Sequence, residues 1–180
     1  ETNFKNEIFM KEINNYFSDK EKDWISFAEA AKYVSQVNEQ WVQKFVQELE
    51  EIKFPGWKFE SFKPDEGLLS KNDFRWFVND SSSLCFVYES HKGLTIWKKD
   101  FSLKKKSIES EFNYFLPDFS FITEDSNYTM SYYDESLTFF NEDEFAWNAG
   151  NTNLAERISV ILRKFLTHKV RDLFDKIDAE

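Results

Sequence analysis

The apolar residues of this chain change their spacing twice along its length, and that pattern restricts it to a mixed α+β fold. Phe4, Ile8, Phe9, Ile13, Tyr16 and Phe17 recur three and four residues apart, the signature of one buried helix face. A charged connector follows from Ser18 to Asp23. The same spacing then runs through Phe27, Ala30, Ala31, Val34, Val37, Trp41, Phe45, Leu49 and Ile52, and predicts a second helix with its whole stripe buried. Ser26 with Glu29 reads as a capping box at its start, and Pro55-Gly56 closes it.

Alternation takes over at Trp57-Lys58-Phe59-Glu60-Ser61-Phe62 and continues more roughly through Phe74 to Val78. Asn79 to Ser83 is a turn cluster. Leu84 to Glu89 and Leu94 to Lys98 predict a hairpin around His91-Lys92-Gly93, and further strand candidates lie at Phe112 to Leu116, Phe119 to Thr123, Tyr128 to Tyr133 and Leu137 to Phe140. Connections this short favour antiparallel pairing, because parallel strands need long crossovers. From about Asn153, Leu154, Ile158, Ile161, Leu162, Phe165, Val170, Leu173, Phe174 and Ile177 supply the apolar face of a long closing helix. The expected architecture is two N-terminal helices, a central antiparallel sheet of about six to eight strands, and a long C-terminal helix packed on that sheet. One domain is expected over 1–180, helical over 1–52, mostly strand over 53–150 and helical over 151–180.

The core must be aromatic, since the chain holds 21 Phe, 7 Tyr and 6 Trp against only 4 Gly. So few glycines exclude a Gly-rich phosphate loop. The single cysteine, Cys85, sits in an apolar run and reads as a buried structural thiol. With no second cysteine, a reducing, cytoplasmic setting is expected. No apolar run reaches the ~18 residues of a membrane span.

Charge is segregated along the chain. Residues 107–156 hold eleven acids and no Lys or Arg, while residues 53–106 carry a net charge of +4. Twelve aromatic residues are interleaved with those acids, so the acidic segment is folded. A surface of one sign attracts cationic partners and speeds their capture, and exposed Tyr or Trp beside it anchors the contact. The predicted partner-binding residues are Glu124, Asp125, Tyr133, Asp134, Glu135, Glu142, Asp143, Glu144 and Trp147. The competing reading is that these acids only keep the protein soluble, neutralised in space by basic residues from other segments.

Catalytic chemistry finds little support. His91 lies in a hairpin turn, and His168 reads as late in a helix, where a cation suits the dipole. Neither has a Cys or His at metal-ligand spacing, the calcium-loop pattern is absent, and there is no nucleophile elbow. No catalytic residue, metal or cofactor is expected. Pro64-Asp65 followed by Glu89-Ser90-His91-Lys92 is similar to the Pro-Asp, acid-x-Lys signature of metal-dependent nucleases. That resemblance implies two carboxylates on Mg²⁺ and a lysine beside the attacking water. Here the last element is acid-x-x-Lys, and strand alternation sets Glu89 and Lys92 on opposite faces. Lys98, Lys99, Lys104, Lys105 and Lys106 read as the defence of an edge strand rather than a nucleic-acid contact, given the net charge of −10.

The leading expectation is therefore a small acidic protein-binding domain that blocks or sequesters a basic protein, such as a nuclease or another nucleic-acid-binding protein, without itself touching nucleic acid or membrane. Immunity proteins, antitoxins, phage-type inhibitors and nucleic-acid mimics share this size and charge. The alternatives are a metal-dependent nuclease-like enzyme and a non-catalytic scaffold or adaptor.

Overall fold

The computed structural model describes residues 11–62, 73–80, 84–98, 105–121, 128–139 and 141–178. The chain divides between Asn38 and Glu39 into two compact units.

In the first unit, helix α1 covers residues 11–17 and helix α2 runs Glu21–Ala31. Phe17 lays its ring against Trp24 and Phe27, at 5.4 and 5.3 Å between centroids, and so joins the two helices. Helix α2 buries none of its residues. Trp24, Ile25 and Phe27 are 46, 57 and 46 % exposed, so the buried stripe expected here is absent from its N-terminal part. The expected capping box is also overturned, because α2 starts five residues before Ser26, with Glu21 and Asp23 favouring its first turn. The helix leaves its path at Lys32 and Tyr33, so the single long helix expected from Ser26 is two, and α3 follows over Val34–Glu51.

The second unit is an antiparallel sheet with helices. Strands β1 (Lys58–Phe62), β2 (Asp73–Phe77), β3 (Leu84–Glu89) and β4 (Gly93–Lys98) form a meander, and β6 (Tyr128–Tyr132) pairs with β4. The two-residue β5, Ser120–Phe121, ends the sheet, giving the order β1-β2-β3-β4-β6-β5. Gly93 closes the β3–β4 turn at φ +75°, a conformation that costs glycine nothing. Strand β3 is buried along its whole length, and Cys85 is among its buried residues, as expected.

Two expected strands are not strands. Residues 112–116 fall in helix α4, Lys105–Phe115, and its end. Ile108, Phe112, Phe115 and Leu116 keep the helical three-and-four spacing, which outweighs the β-favouring aromatics. Leu137 belongs to a 3-10 turn, Glu135–Leu137. Helix α5 spans Glu142–Asn151. The long closing helix is two, α6 (Leu154–Phe165) and α7 (His168–Asp178). The Thr167 hydroxyl accepts from Val170 N at 3.3 Å and caps α7, so His168 opens a helix instead of closing one.

The helices bury their faces against one side of the sheet. Alternation places Phe74, Trp76, Phe86, Tyr88, Leu94 and Ile96 on that side. Phe45 of α3 meets Phe74 and Phe145 edge-on, at 5.2 and 5.7 Å. Phe174 of α7 stacks on Phe86 at 5.2 Å. Gly150 sits where Trp41 crosses α5, and a Cβ there would lie 2.2 Å from Trp41 Cγ. Trp41 itself packs on the rim of the core, half-buried.

Candidate functional site

Seven of the nine predicted partner-binding residues lie in one continuous stretch, Tyr133 to Trp147, while Glu124 and Asp125 fall outside the described residues. That stretch carries five acids and no basic side chain. Tyr133 leaves the end of β6 and is 72 % exposed. Asp134 caps the 3-10 turn, its carboxylate accepting from Ser136 N at 2.9 Å, and Glu135 beside it is exposed. Asn141 caps α5 by accepting from Glu144 N at 2.8 Å. Glu142, Asp143 and Glu144 fill the first turn of α5, where the helix dipole favours negative charge. Farther along, Phe145, Ala146 and Ala149 point into the core, and Trp147 stays 53 % exposed.

The stretch is fastened from behind. The Tyr88 hydroxyl donates to Leu137 O at 3.0 Å, and Phe139 N donates to Ser90 O at 2.8 Å. Arg157 donates to Ser136 O at 2.9 Å and to Thr152 Oγ1 at 3.3 Å. Burial drives the Tyr88 phenol far above the usual tyrosine range, against a small opposing pull from Arg157. Tyr132, next to the acidic turn, is also raised, first by burial and then by the carboxylates of Asp134 and Asp118. A negative field at this end of the sheet therefore acts on a neighbouring group. Elsewhere in the acidic segment, Glu111 is neutralised by Lys176 at 2.7 Å, so part of the charge is compensated by a basic residue from the C-terminal region.

The nuclease-like pair has a different geometry from the one expected. Glu89 is buried at the end of β3, and the turn brings Lys92 Nζ and His91 Nε2 back to 3.4 and 3.5 Å from its carboxylate. Strand alternation does not apply across the turn, so Glu89 and Lys92 lie together, and the lysine offsets the cost of burying the carboxylate. Asp65 falls outside the described residues. Among the described residues no three His, Cys, Asp or Glu side chains are gathered as metal ligands. Strand β4, which carries Lys98, lies inside the sheet between β3 and β6, so it is not the lysine-defended edge expected.

A cleft of about 640 Å³, missed by sequence reasoning, opens between the end of α3, the start of β1 and the end of β2. Glu50, Phe54, Trp57, Phe59 and Trp76 help to line it. The indole nitrogens of Trp57 and Trp76 are buried, with no hydrogen-bond partner among the described residues. A smaller hollow of about 310 Å³, lined by Val42, Val46, Glu50 and Ser61 among others, continues along α3. The clue in the sequence was a tryptophan at the start of each of two alternating runs, Trp57 before β1 and Trp76 within β2, which is equally the mark of a core. No described helix is long and apolar enough to cross a membrane. Comparison with protein-family models, with curated proteins and with solved structures finds no match.

Proposed function

We propose that this protein is a non-catalytic binding domain that occludes a basic protein partner with the surface from Tyr133 to Trp147. The observation that carries this reading is the bracketing of five acids by two exposed aromatic residues on a stretch with no basic side chain. Aromatic anchors supply contact area at low entropic cost, and the acids around them steer a cationic surface into place. The capped 3-10 turn and the capped α5 hold these groups on fixed backbone, so little ordering is lost on binding.

The test is capture by the immobilised chain from a lysate of the source cell, beside a Tyr133→Ala/Trp147→Ala variant. The proposal expects a basic protein that raised salt releases and that the variant retains at least ~10-fold less well. Equal retention by the variant, or a partner indifferent to salt, sinks it.

A further inference from the structure

We infer, resting on the docking reading of Tyr133 to Trp147, that Arg157 is the positioning residue of that surface and holds its two halves at a fixed spacing from outside the stretch. One half is the turn from Asp134 to Leu137, and the other is helix α5. Arg157 stands in the first turn of α6, where its backbone N–H donates to Asn153 O at 3.0 Å. Its guanidinium reaches both halves. Nη1 donates at 2.9 Å to the carbonyl of Ser136, the residue after Glu135, and Nη2 donates at 3.3 Å to the Thr152 hydroxyl. That hydroxyl donates in turn at 2.7 Å to the carbonyl of Asn148, the residue after Trp147. Three hydrogen bonds therefore link the backbone beside Glu135 to the backbone beside Trp147, through Arg157 and Thr152.

Each half has its own attachment to the core, Phe145, Ala146 and Ala149 for α5 and the Tyr88 hydroxyl on Leu137 O for the turn. What Arg157 adds is the separation between them. Charge and shape both suit arginine in this role. Helix α5 has no basic residue in its last turn, and Thr152 is its C-cap. Arg157 thus brings a cation to the negative end of that helix dipole, opposite Glu142, Asp143 and Glu144 at the other end. A guanidinium carries its donors in a rigid planar fork, whereas a lysine ammonium is one point on a flexible stem. Lysine can keep the charge here, but it cannot hold two acceptors at a set distance. The Arg157 Nε–H is buried without a partner among the described residues, and lysine lacks this unmet donor. Replacement by lysine should therefore show at the surface and not in global stability.

The probe is a capped hexalysine peptide, titrated into the ¹⁵N-labelled full chain at low ionic strength. In the wild type, shift changes at the amides from Tyr133 to Trp147 are expected. Arg157→Lys keeps the charge and loses the fork, and Arg157→Met loses both. Positioning predicts that both variants bind the peptide roughly fivefold more weakly, while the urea midpoint of Arg157→Lys stays at the wild-type value. The Leu137 and Thr138 amides, which donate to Asp134 O and Glu135 O, should exchange at least ~10-fold faster in both free variants, with β3 amides unchanged. A purely electrostatic role predicts the reverse order of affinity, because removing a cation behind five acids deepens their negative potential. Tighter binding by Arg157→Met, with Arg157→Lys like the wild type, therefore overturns the inference. So does exchange at Leu137 and Thr138 that neither substitution alters. If the wild-type stretch shows no shifts while exchange is accelerated in the variants, the docking reading itself is overturned, and Arg157 is a tie within the fold alone.

Discussion

Helices α2 and α6 carry apolar residues at the same three-and-four spacing, yet they meet opposite fates. Helix α6 buries Leu154, Ala155, Ile158, Ile161, Leu162 and Phe165, and turns Arg163 and Lys164 outward. Helix α2 buries nothing and leaves Trp24, Ile25 and Phe27 in solvent. Periodicity specifies that a helix has an apolar face, but not what covers that face. The closing helices have one because β3 and β4 are lined with Phe86, Tyr88, Leu94 and Ile96.

Breaking the covered region should have the largest effect. Phe45 is fully buried among Phe74, Tyr88 and Phe145. Phe45→Ala should cost about 3–5 kcal/mol in urea unfolding, and a loss under about 1 kcal/mol would mean that α3 is not seated on the sheet. Gly150→Ala should cost about 1–3 kcal/mol, because its methyl group enters the Trp41 ring. In the background of Trp41→Ala most of that cost should vanish. Additive losses in this double-mutant cycle would separate the two sites.

Tyr88 tests how the acidic stretch is fastened. Removing its hydroxyl leaves Leu137 O buried without this donor, so Tyr88→Phe should cost about 1–3 kcal/mol. Its pKa is raised in the folded state, so above pH ~10 the unfolded chain loses a proton that the folded chain keeps. Stability should then fall by up to about 1.4 kcal/mol per pH unit from this residue. The fall should be shallower in Tyr88→Phe, and identical alkaline slopes would contradict the assignment. The smallest effect should come from the uncovered region. Trp24→Ser and Phe27→Ser should each change global stability by less than about 0.5 kcal/mol. A loss of 2 kcal/mol or more would show that α2 buries its face after all.

The meander and its hairpin were legible in the sequence because alternation and a turn glycine act locally: β1 through β4 lie where the pattern put them. The errors came where one local signal masked another. Aromatic density at Phe112 and Phe115 suggested a strand, although the spacing back to Ile108 already followed a helix. Ser26 and Glu29 imitated a cap inside α2, while the working cap, Asn141 with Glu144, stood unread in the acidic segment. The break at Thr167 depends on a hydroxyl turned to a backbone N–H, which periodicity does not encode. Of the candidate surface, the acids and aromatics from Tyr133 to Trp147 were legible as composition. Their attachment to Ser90, Tyr88 and Arg157 joins distant segments and was not. The cleft beside β1 and β2 was invisible for the same reason, since it exists only once the end of α3 lies against them.

Native-state hydrogen exchange of the free chain tests the central claim most directly, namely that a prebuilt binding surface stands on a fixed body. The account predicts that amides of α5 are protected with those of β3 and β4, near the global stability, while amides of α2 exchange much faster. Exchange of α5 as fast as α2 would contradict it, because the surface from Tyr133 to Trp147 would then have no fixed backbone to stand on.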